Sequence, residues 1–328
     1  MMTRDISAYK KLAEKSLEAL RLEHETPRGL FAPISYMLEG GGKRLRPVLL
    51  LVSCDAVGGD ASRCQSQAAG IEMFHNFTLL HDDVMDRSPL RHGKPTVHKK
   101  WDVATAILSG DAMLTKATEL IVNGLNPDVA SEVLKTFNDT AMLVYKGQQL
   151  DMEFESRLDV TPDEYLEMIS MKTGALIAGA CLIGAIAGGV KGRDVGVALY
   201  KYGMNLGVAF QIQDDLLDTY GDEKVFGKPI GGDILNDKKT WLLVTALQSG
   251  SGKELKKIIT GQELQGDAKI AAVRDIYDRE KVKERSTQML ETAVSGAISW
   301  LDSVKDYITA ESYALLRGYA EGMSGRVK

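Results

Sequence analysis

Two short acidic clusters with the same spacing are the residues of this sequence best suited to chemistry. The first cluster contains Asp82, Asp83 and Asp86 and follows an apolar run that ends at Leu79 and Leu80. On a helix, Asp82 and Asp86 share a face, so three like charges crowd together and destabilise the helix unless a cation compensates them. Carboxylate oxygens are hard ligands that favour Mg²⁺. The cluster indicates a metal site, and the alternative is a solvated acidic end of a surface helix.

The second cluster repeats this spacing much later in the chain, again behind an apolar run. It contains Asp214, Asp215 and Asp218. The distance between the two copies is far longer than the roughly 20 to 50 residues of a solenoid repeat. Two copies of one acidic pattern on apolar helices are expected when the two helices face each other across a cavity and hold metal ions together. The repetition therefore favours a metal site over a chance surface charge.

Cationic residues stand beside glycines and predicted helix ends. Three glycines at 40–42 precede Lys43, Arg44 and Arg46, just before an apolar helix. A glycine-rich loop lets the backbone approach a ligand, and Lys and Arg recognise phosphate oxygens. The order is not that of a Walker loop, and a flexible basic loop is the alternative interpretation.

Other cations also follow breaks or helix ends: Arg91, Lys172, Lys228 and Lys238. Mg²⁺ that bridges carboxylates to phosphates would make these cations and the acidic clusters complementary to a diphosphate. The pattern predicts a polar mouth over an apolar tunnel.

Composition sets the broad class of the protein. The chain has 328 residues, of which 44% are hydrophobic and 26% are charged, and this supports a large core and argues against disorder. A net charge of −5 gives no global basic field for nucleic acid. The three cysteines form neither a disulfide framework nor a zinc motif, so reduced thiols and a cytoplasmic location are expected.

Helical periodicity runs through most of the chain, and no stretch alternates with period two. We therefore predict an all-α single domain over residues 1–328 with about ten or more helices. Specific expectations are a first helix over 3–23, a turn punctuated by Pro27 and Pro33, a helix over 268–293, and a polar, mobile connecting loop at 249–253. The uncharged run 174–190 is shorter than a membrane span and is predicted to be a buried helix, without stable membrane insertion.

Six motifs in order give the sequence a resemblance to the trans-isoprenyl diphosphate synthases of the polyprenyl synthetase family. The motifs are GGGKRLRP at 40–47, HDDVMD at 81–86, GQQLD at 147–151, KTG at 172–174, FQIQDDLLD at 210–218 and GKPIGGDI at 227–234. The resemblance implies a helical bundle around a central substrate cavity. It also implies Mg²⁺-dependent condensation of isopentenyl diphosphate with an allylic diphosphate, with three Mg²⁺ ions when substrate is bound.

The resemblance also assigns roles to individual residues. Asp82, Asp86 and Asp214 would hold Mg²⁺ on the allylic diphosphate, with Asp83, Asp215 and Asp218 as neighbouring or water-mediated partners. Arg91, Lys172, Lys228 and Lys238 would contact that diphosphate, and Lys43, Arg46 and His75 would bind isopentenyl diphosphate. Thr173 and Gln211 would lie near the developing carbocation. His92 departs from the family, which commonly has arginine there, and a neutral imidazole is a weaker phosphate partner.

Product length depends on bulky residues below the first acidic cluster. Phe77 and Phe74, five and eight positions before Asp82, are expected on nearly the same face as the floor of the tunnel. The alternative is that only Phe77 reaches the tunnel. The absence of extra residues between Asp83 and Asp86 resembles archaeal-type geranylgeranyl synthases and favours a product of twenty carbons over fifteen.

Rival interpretations are a terpene cyclase, which needs no second diphosphate site, and a non-catalytic partner subunit, which has little reason to keep both acidic clusters. The family resemblance also implies a homodimer.

Overall fold

The computed structural model describes residues 5–221, 230–261 and 263–324, and these residues are almost entirely helical. The α-helices are, in chain order, α1 (Ile6–Glu18), α2 (Arg28–Leu38), α3 (Leu45–Ala56), α4 (Gln65–Met85), α5 (Val97–Lys100), α6 (Val103–Val122), α7 (Pro127–Glu155), α8 (Pro162–Ile169), α9 (Ala175–Ala187), α10 (Arg193–Tyr220), α11 (Gly232–Leu235), α12 (Trp241–Leu247), α13 (Gly252–Thr260), α14 (Gly266–Arg279), α15 (Val282–Asp302) and α16 (Ala310–Ser324). Short 3₁₀ turns are found at Leu22–His24, Ala61–Arg63 and Lys305–Tyr307, and a π-helical segment at Ser170–Gly174 joins α8 to α9. The predicted all-α fold is confirmed.

Local capping chemistry explains where several helices begin. Asp5, Asp102 and Thr240 each accept a hydrogen bond from a backbone N–H in the first turn of α1, α6 and α12. Thr161 and Glu164 form a reciprocal capping box at α8, which has Pro162 as its first residue. These side chains satisfy N–H groups that a helix leaves unpaired at its start.

One small antiparallel hairpin interrupts the helices. Strand β1 (Leu90–Arg91) pairs with β2 (Lys94–Pro95), with Leu90 opposite Pro95 and Arg91 opposite Lys94. The two turn residues, His92 and Gly93, have φ angles of 50° and 75°, which is the geometry of a two-residue type I′ turn. Pairing of Arg91 with Lys94 therefore places these two residues side by side at the tip of a tight turn.

The described residues cluster into two compact units, and the prediction of a single domain over the chain stays a prediction. The first unit comprises 5–139, 179–199 and 304–316. Its core contains α3, in which every residue from Pro47 to Ala56 is buried. A Cβ atom on Gly184 would lie 2.0 Å from the Leu50 carbonyl oxygen, so α9 approaches α3 at a distance that only glycine allows.

The second unit comprises 140–178, 200–303 and 317–324, as far as these ranges are described. Every residue of α12 is buried in it. Gly147 of α7 lies against the π-helical segment, since a Cβ atom there would be 2.2 Å from the Lys172 backbone nitrogen. The close packing of these two backbones fixes the position of Lys172 and its neighbour Thr173.

Some predicted boundaries were wrong for physical reasons. Pro33 lies inside α2 rather than in the turn before it. The expected helix over 268–293 is broken between α14 and α15, where Lys281 adopts a φ of 52°. The polar loop at 249–253 is anchored, because Glu280 accepts hydrogen bonds from the backbone N–H and the hydroxyl of Ser251.

The apolar run predicted to be a buried helix is part of one long helical stretch. Within the described ranges, Pro162–Ala187 alone is long and apolar enough to span a membrane, and 78% of its most apolar window is buried inside the protein. That burial is typical of a core helix. All three cysteines are buried and unbridged, as predicted.

Candidate active site

The first acidic cluster forms the C-terminal turn of α4, and its central carboxylate is the most buried. Asp83 is 1% exposed and faces the Arg91 guanidinium from the hairpin. The Nε atom of Arg91 donates to both carboxylate oxygens at 3.0 and 2.9 Å, and its Nη2 lies 2.9 Å from Oδ1. A charge-assisted pair of this geometry fixes both partners. Asp83 therefore anchors the hairpin to the end of α4.

Asp82 and Asp86 flank this pair on the last turn of the same helix. Asp82 is partly buried, Asp86 is exposed, and Asp86 is the C-cap of α4. The C-terminal end of a helix carries a partial negative charge, which disfavours carboxylates placed there. Two hard oxygen donors in such a position suit a divalent cation.

Two of the residues predicted to bind isopentenyl diphosphate contact each other directly. Arg46 Nη1 lies 3.1 Å from His75 Nε2. Because a guanidinium only donates, His75 accepts through Nε2 and is neutral. Burial and the nearby charges of Arg46, Arg91, Arg44 and His92 hold the pKa of His75 well below its ordinary value. Burial also lowers the pKa of Arg46 to about 10, although Glu72 opposes that shift.

The loop before α3 supports this pair. Arg44 is buried, donates through Nη1 to Glu72 at 2.6 Å and through Nη2 to the Leu38 carbonyl at 2.8 Å. Gly41 and Gly42 have φ angles of 75° and 124°, which bring the chain into α3. Lys43 is exposed on the same loop. Arg44 therefore has a structural role, whereas Arg46, the second residue of α3, contacts the predicted site residue His75.

The second acidic cluster lies near the end of α10 and uses neutral donors. Asp215 is 1% exposed, and its Oδ2 accepts from the Tyr165 hydroxyl at 2.6 Å and from the Trp241 backbone N–H at 2.9 Å. Its Oδ1 accepts from Gln211 Nε2 at 3.0 Å. Burial raises the pKa of Asp215 to about 6. Both oxygens of this carboxylate are thus engaged by protein donors.

Asp214 and Asp218 flank Asp215 and are partly buried. Asp218 accepts a hydrogen bond from the Asp233 backbone N–H at 2.9 Å. Burial, followed by repulsion from Asp233, raises the pKa of Asp218 to about 6. The region is rich in negative charge, which again suits a cation.

The catalytic residues predicted from the KTG motif lie on the π-helical segment. Lys172 Nζ is 2.5 Å from Asp151 of α7, so the acidic residue of the GQQLD motif positions the lysine. Thr173 Oγ1 donates to Gln211 Oε1 at 3.1 Å. The structure therefore brings the predicted residues Thr173, Gln211 and Asp215 into one hydrogen-bonded chain.

Lys238 follows the second cluster, as predicted, and pairs with Asp233 at 3.4 Å. Burial opposes its charge, but the carboxylates of Asp233, Asp215, Asp151 and Asp214 together raise the pKa of Lys238 above its ordinary value. Lys238 therefore stays protonated. The remaining predicted lysine, Lys228, lies outside the described residues.

The two phenylalanines predicted to set product length are both buried in the first unit. The ring centroids of Phe74 and Phe77 are 5.5 Å apart, and Phe74 also packs edge-on against Phe137 at 5.2 Å. Phe77 contacts the His81 ring at 4.7 Å. The floor itself stays a prediction, because these contacts show an aromatic cluster without showing a tunnel.

The chain matches a model of the polyprenyl synthetase family over residues 27–278. The chain belongs to the polyprenyl synthetase family. It is 37% identical over 312 residues to a short chain isoprenyl diphosphate synthase from Methanothermobacter thermautotrophicus, with 94% of this chain and 96% of that protein covered. This family member is a prenyltransferase, as its motifs predicted.

Two solved structures are similar to this family member over nearly its whole length. A geranylgeranyl pyrophosphate synthase has a TM-score of 0.93 at 38% identity and covers 98% of this chain and 99% of its own. A geranylgeranyl pyrophosphate synthase from Corynebacterium glutamicum, solved with isoprenyl diphosphate and magnesium, has a TM-score of 0.85 at 28% identity and covers 98% of both chains. Both belong to the all-α architecture predicted for this chain.

The aspartates of the two clusters suit Mg²⁺ ions that are also bound by substrate phosphates. Among the described residues, no three His, Cys, Asp or Glu side chains converge on a point that could hold a metal ion. Mg²⁺ keeps several waters and is commonly bound by one or two carboxylates together with substrate phosphates. Asp82 with Asp86, and Asp214 with Asp218, would supply such carboxylates, and the oxygens of the buried Asp83 and Asp215 accept from Arg91 and from three neutral donors respectively.

Sequence reasoning missed three residues that shape this site. The Tyr165 hydroxyl donates a hydrogen bond to Asp215, and Glu72 forms an ion pair with Arg44. Asp233 donates its backbone N–H to Asp218 and forms an ion pair with Lys238. Asp233 stands inside the quoted GKPIGGDI motif and could have been recognised as a third acidic residue. The contacts of Tyr165 and Glu72 join distant parts of the chain, so local spacing gave no signal for them.

Proposed function

We propose that this prenyltransferase is a short-chain trans-isoprenyl diphosphate synthase that condenses isopentenyl diphosphate with an allylic diphosphate. The observation that carries this proposal is the Arg46–His75 contact, with Arg91 and His92 near enough to lower the pKa of His75. Arg91 joins this group to the first acidic cluster, because it also pairs with Asp83. A second group of phosphate-binding side chains beside the first acidic cluster fits an enzyme with two diphosphate substrates.

Magnesium is the proposed cofactor, with three ions when substrate is bound. The structure of the Corynebacterium glutamicum protein with magnesium and isoprenyl diphosphate supports this metal. Asp82, Asp86 and Asp214 would hold the ions, and Asp218 would assist. Bound Mg²⁺ would neutralise the diphosphate and stabilise its departure from the allylic carbon.

The protein side chains would do the remaining work. Arg91, Lys172, Lys228 and Lys238 would contact the allylic diphosphate, and Lys43, Arg46, His75 and His92 would bind isopentenyl diphosphate. The oxygens of Thr173 and Gln211 would face the positive charge that develops on the allylic carbon. The departed diphosphate would accept the proton that is lost after the new carbon–carbon bond forms, so no protein base is required.

A product of twenty carbons is proposed, with fifteen as the alternative. The support is the two similar structures of geranylgeranyl pyrophosphate synthases and the paired rings of Phe74 and Phe77. We expect Phe77→Ala to lengthen the product. The matched control is Phe154→Ala, a buried phenylalanine of the second unit. Unaltered products in both Phe77→Ala and Phe74→Ala would place the floor elsewhere.

The deciding experiment is incubation with Mg²⁺, isopentenyl diphosphate and each allylic diphosphate in turn, followed by chromatography of the prenyl chains. Consumption of isopentenyl diphosphate is expected, and its absence with every allylic partner would refute the proposal. Cyclic hydrocarbons formed from an allylic diphosphate alone would instead identify a terpene cyclase. Turnover that is absent with this protein alone and appears only when a second protein is added would identify a partner subunit.

His92 gives a test of the second diphosphate site. We expect His92→Arg to lower the Michaelis constant for isopentenyl diphosphate, because guanidinium binds phosphate better than neutral imidazole. An unchanged constant would place His92 outside the site.

A homodimer in the cytoplasm is the proposed state of the protein. Apolar side chains are exposed along α6, where Val103 is 50%, Ile107 44% and Leu108 61% accessible. Unbridged thiols fit a reducing compartment. Sedimentation of the wild type against Leu108→Glu would test the dimer, and a wild-type monomer would contradict it.

A further inference from the structure

Tyr165 is a buried residue that contacts the second acidic cluster and that no motif included. It lies in the first two turns of α8, downstream of the Thr161–Glu164 capping box, and is 2% exposed. Its hydroxyl donates to Asp215 Oδ2 at 2.6 Å, and its ring lies 6.4 Å from that of Trp241. Packing thus holds the ring, and the hydroxyl has a defined acceptor.

Asp215 passes this constraint on to Gln211. An ionised carboxylate only accepts hydrogen bonds, so Asp215 Oδ1 must receive the N–H of Gln211 and cannot face the Gln211 carbonyl. The two ends of a glutamine amide have nearly the same shape, and only hydrogen-bond partners fix which way the amide points. Asp215 therefore sets the direction of the Gln211 amide, and Tyr165 with the Trp241 N–H holds Asp215 in place.

Gln211 in turn orients Thr173. With its N–H directed at Asp215, the amide presents Oε1 to Thr173, whose hydroxyl hydrogen is donated at 3.1 Å. A hydroxyl that donates its single hydrogen in one direction has its lone pairs left for another. The lone pairs of Thr173 are thereby available to a positive charge, and its hydrogen is turned away from it.

We propose that Tyr165 is a positioning residue of the prenyl-transfer reaction, which acts through Asp215 and Gln211 to turn the oxygen lone pairs of Thr173 toward the developing carbocation. This inference rests on the proposed function. It assigns Asp215 to orientation of the amide, because three protein donors already engage its oxygens. Because Tyr165 is 2% exposed and acts through Asp215, we expect its effect on the barrier and not on substrate binding.

The test is Tyr165→Phe, which removes the hydroxyl and keeps the packed ring. We expect kcat to fall about five- to tenfold, which corresponds to loss of one hydrogen bond of ordinary strength, with both Michaelis constants unchanged. We also expect more allylic alcohol. In that side reaction the carbon–oxygen bond to diphosphate breaks, water forms the new carbon–oxygen bond, and the water proton passes to diphosphate.

The matched control is Tyr220→Phe, which removes another tyrosine hydroxyl of the second unit that donates to an aspartate, here Asp278 at 3.1 Å, outside the chain of Thr173, Gln211 and Asp215. It should leave kcat and the alcohol fraction at wild-type values. A double-mutant cycle of Tyr165→Phe with Thr173→Val should show coupling, although the two side chains are joined only through Gln211 and Asp215. Additive effects, or equal effects of the two tyrosine variants, would overturn the inference.

A second measurement does not depend on turnover. The side-chain amide resonances of Gln211 in ¹⁵N-labelled protein should shift in Tyr165→Phe and stay unchanged in Tyr220→Phe. Unchanged Gln211 resonances in Tyr165→Phe would overturn the inference whether or not the enzyme is active. A wild-type enzyme without prenyl transfer would refute the proposed function, whereas an active enzyme with a normal Tyr165→Phe variant would refute only the positioning role.

Discussion

In both acidic clusters the second aspartate is the buried one, yet the two carboxylates are stabilised by different chemistry. Asp83 at the end of α4 is neutralised by the Arg91 guanidinium. Asp215 near the end of α10 receives hydrogen bonds from a phenol, an amide and a backbone N–H, none of them charged. The first arrangement cancels a charge, and the second only solvates it. Burial raises the pKa of Asp215 to about 6, and the hydrogen bonds from Tyr165 and the Trp241 N–H oppose that rise.

The charges around the two clusters also differ. Beside the first cluster, burial lowers the pKa of His75, and the positive charges of Arg46, Arg91 and Arg44 lower it further. Around the second cluster, burial raises the pKa of Asp218, and the negative charges of Asp233 and Asp214 add to that rise. One repeated motif can therefore support two electrostatic environments, because the partners come from other elements.

The largest expected effect separates the outer from the central aspartates. Asp82→Asn and Asp214→Asn should each reduce kcat about 10³-fold, because a lost metal ligand removes several kcal/mol of transition-state stabilisation. Steady-state rates across a Mg²⁺ titration measure this effect. Wild-type activity of either variant at low Mg²⁺ would contradict a metal-ligand role for the outer aspartates.

The next effect compares the partners of the central aspartates by stability. Arg91→Gln leaves the Asp83 carboxylate buried without its cation and should cost about 2 to 3 kcal/mol of unfolding free energy, less than a fully buried pair because Arg91 is partly exposed. Tyr165→Phe leaves Asp215 two of its three donors and should cost about 1 kcal/mol. Urea unfolding at neutral pH measures both values. A larger cost for Tyr165→Phe would reverse our account of the two clusters.

A third prediction concerns how the free energy of unfolding depends on pH through Asp218 of the second cluster. The folded pKa of Asp218, about 6, lies above the unfolded value, so the folded state holds this proton more tightly. Its contribution is present below about pH 4 and is lost as pH rises through 6. The wild type should therefore gain up to about 2 kcal/mol over Asp218→Asn when pH falls from 7 to 4. Unfolding in EDTA at several pH values tests this, and parallel curves would contradict it.

A fourth prediction has the opposite sign and belongs to the first cluster. The folded pKa of His75 is depressed, so its contribution is present above the unfolded value near 6.5 and is lost as pH falls through the folded pKa. The wild type should lose stability relative to His75→Gln by at most about 1.4 kcal/mol per pH unit below pH 6.5. The same unfolding series measures it. A wild type that gained stability over His75→Gln on acidification would show that His75 is protonated in the folded state.

Spacing along the chain predicted what lies within a few residues and missed what depends on distant partners. The helical periodicity located most helices, and the Asp82–Asp86 spacing placed two carboxylates on one turn. The break before α15 was missed because Glu280 and Lys281 favour helices, and the break depends on the left-handed conformation of Lys281.

The roles of the central aspartates could not be read from their own motifs. Asp83 and Asp215 occupy equivalent positions in identical DD pairs, so sequence alone treated them alike. Their partners are a hairpin arginine eight residues on and a tyrosine 50 residues before. Motif matching identified the family, whereas the different hydrogen-bond partners of the two central carboxylates required the structure.

The π-helical turn at Ser170–Gly174 has a consequence for the register of the long helix that contains it. A π turn adds about one residue to an α-helical repeat, and each added residue rotates the following helix by roughly 100°. Compared with an unbroken α-helix through both, α9 is therefore rotated relative to α8 by roughly that angle. Gly147 of α7 packs against the backbone of Lys172, and this contact fixes the position of the π turn at Lys172 and Thr173. One residue more or fewer upstream of this turn would turn the apolar surface of α8 away from its partners while leaving α9 seated.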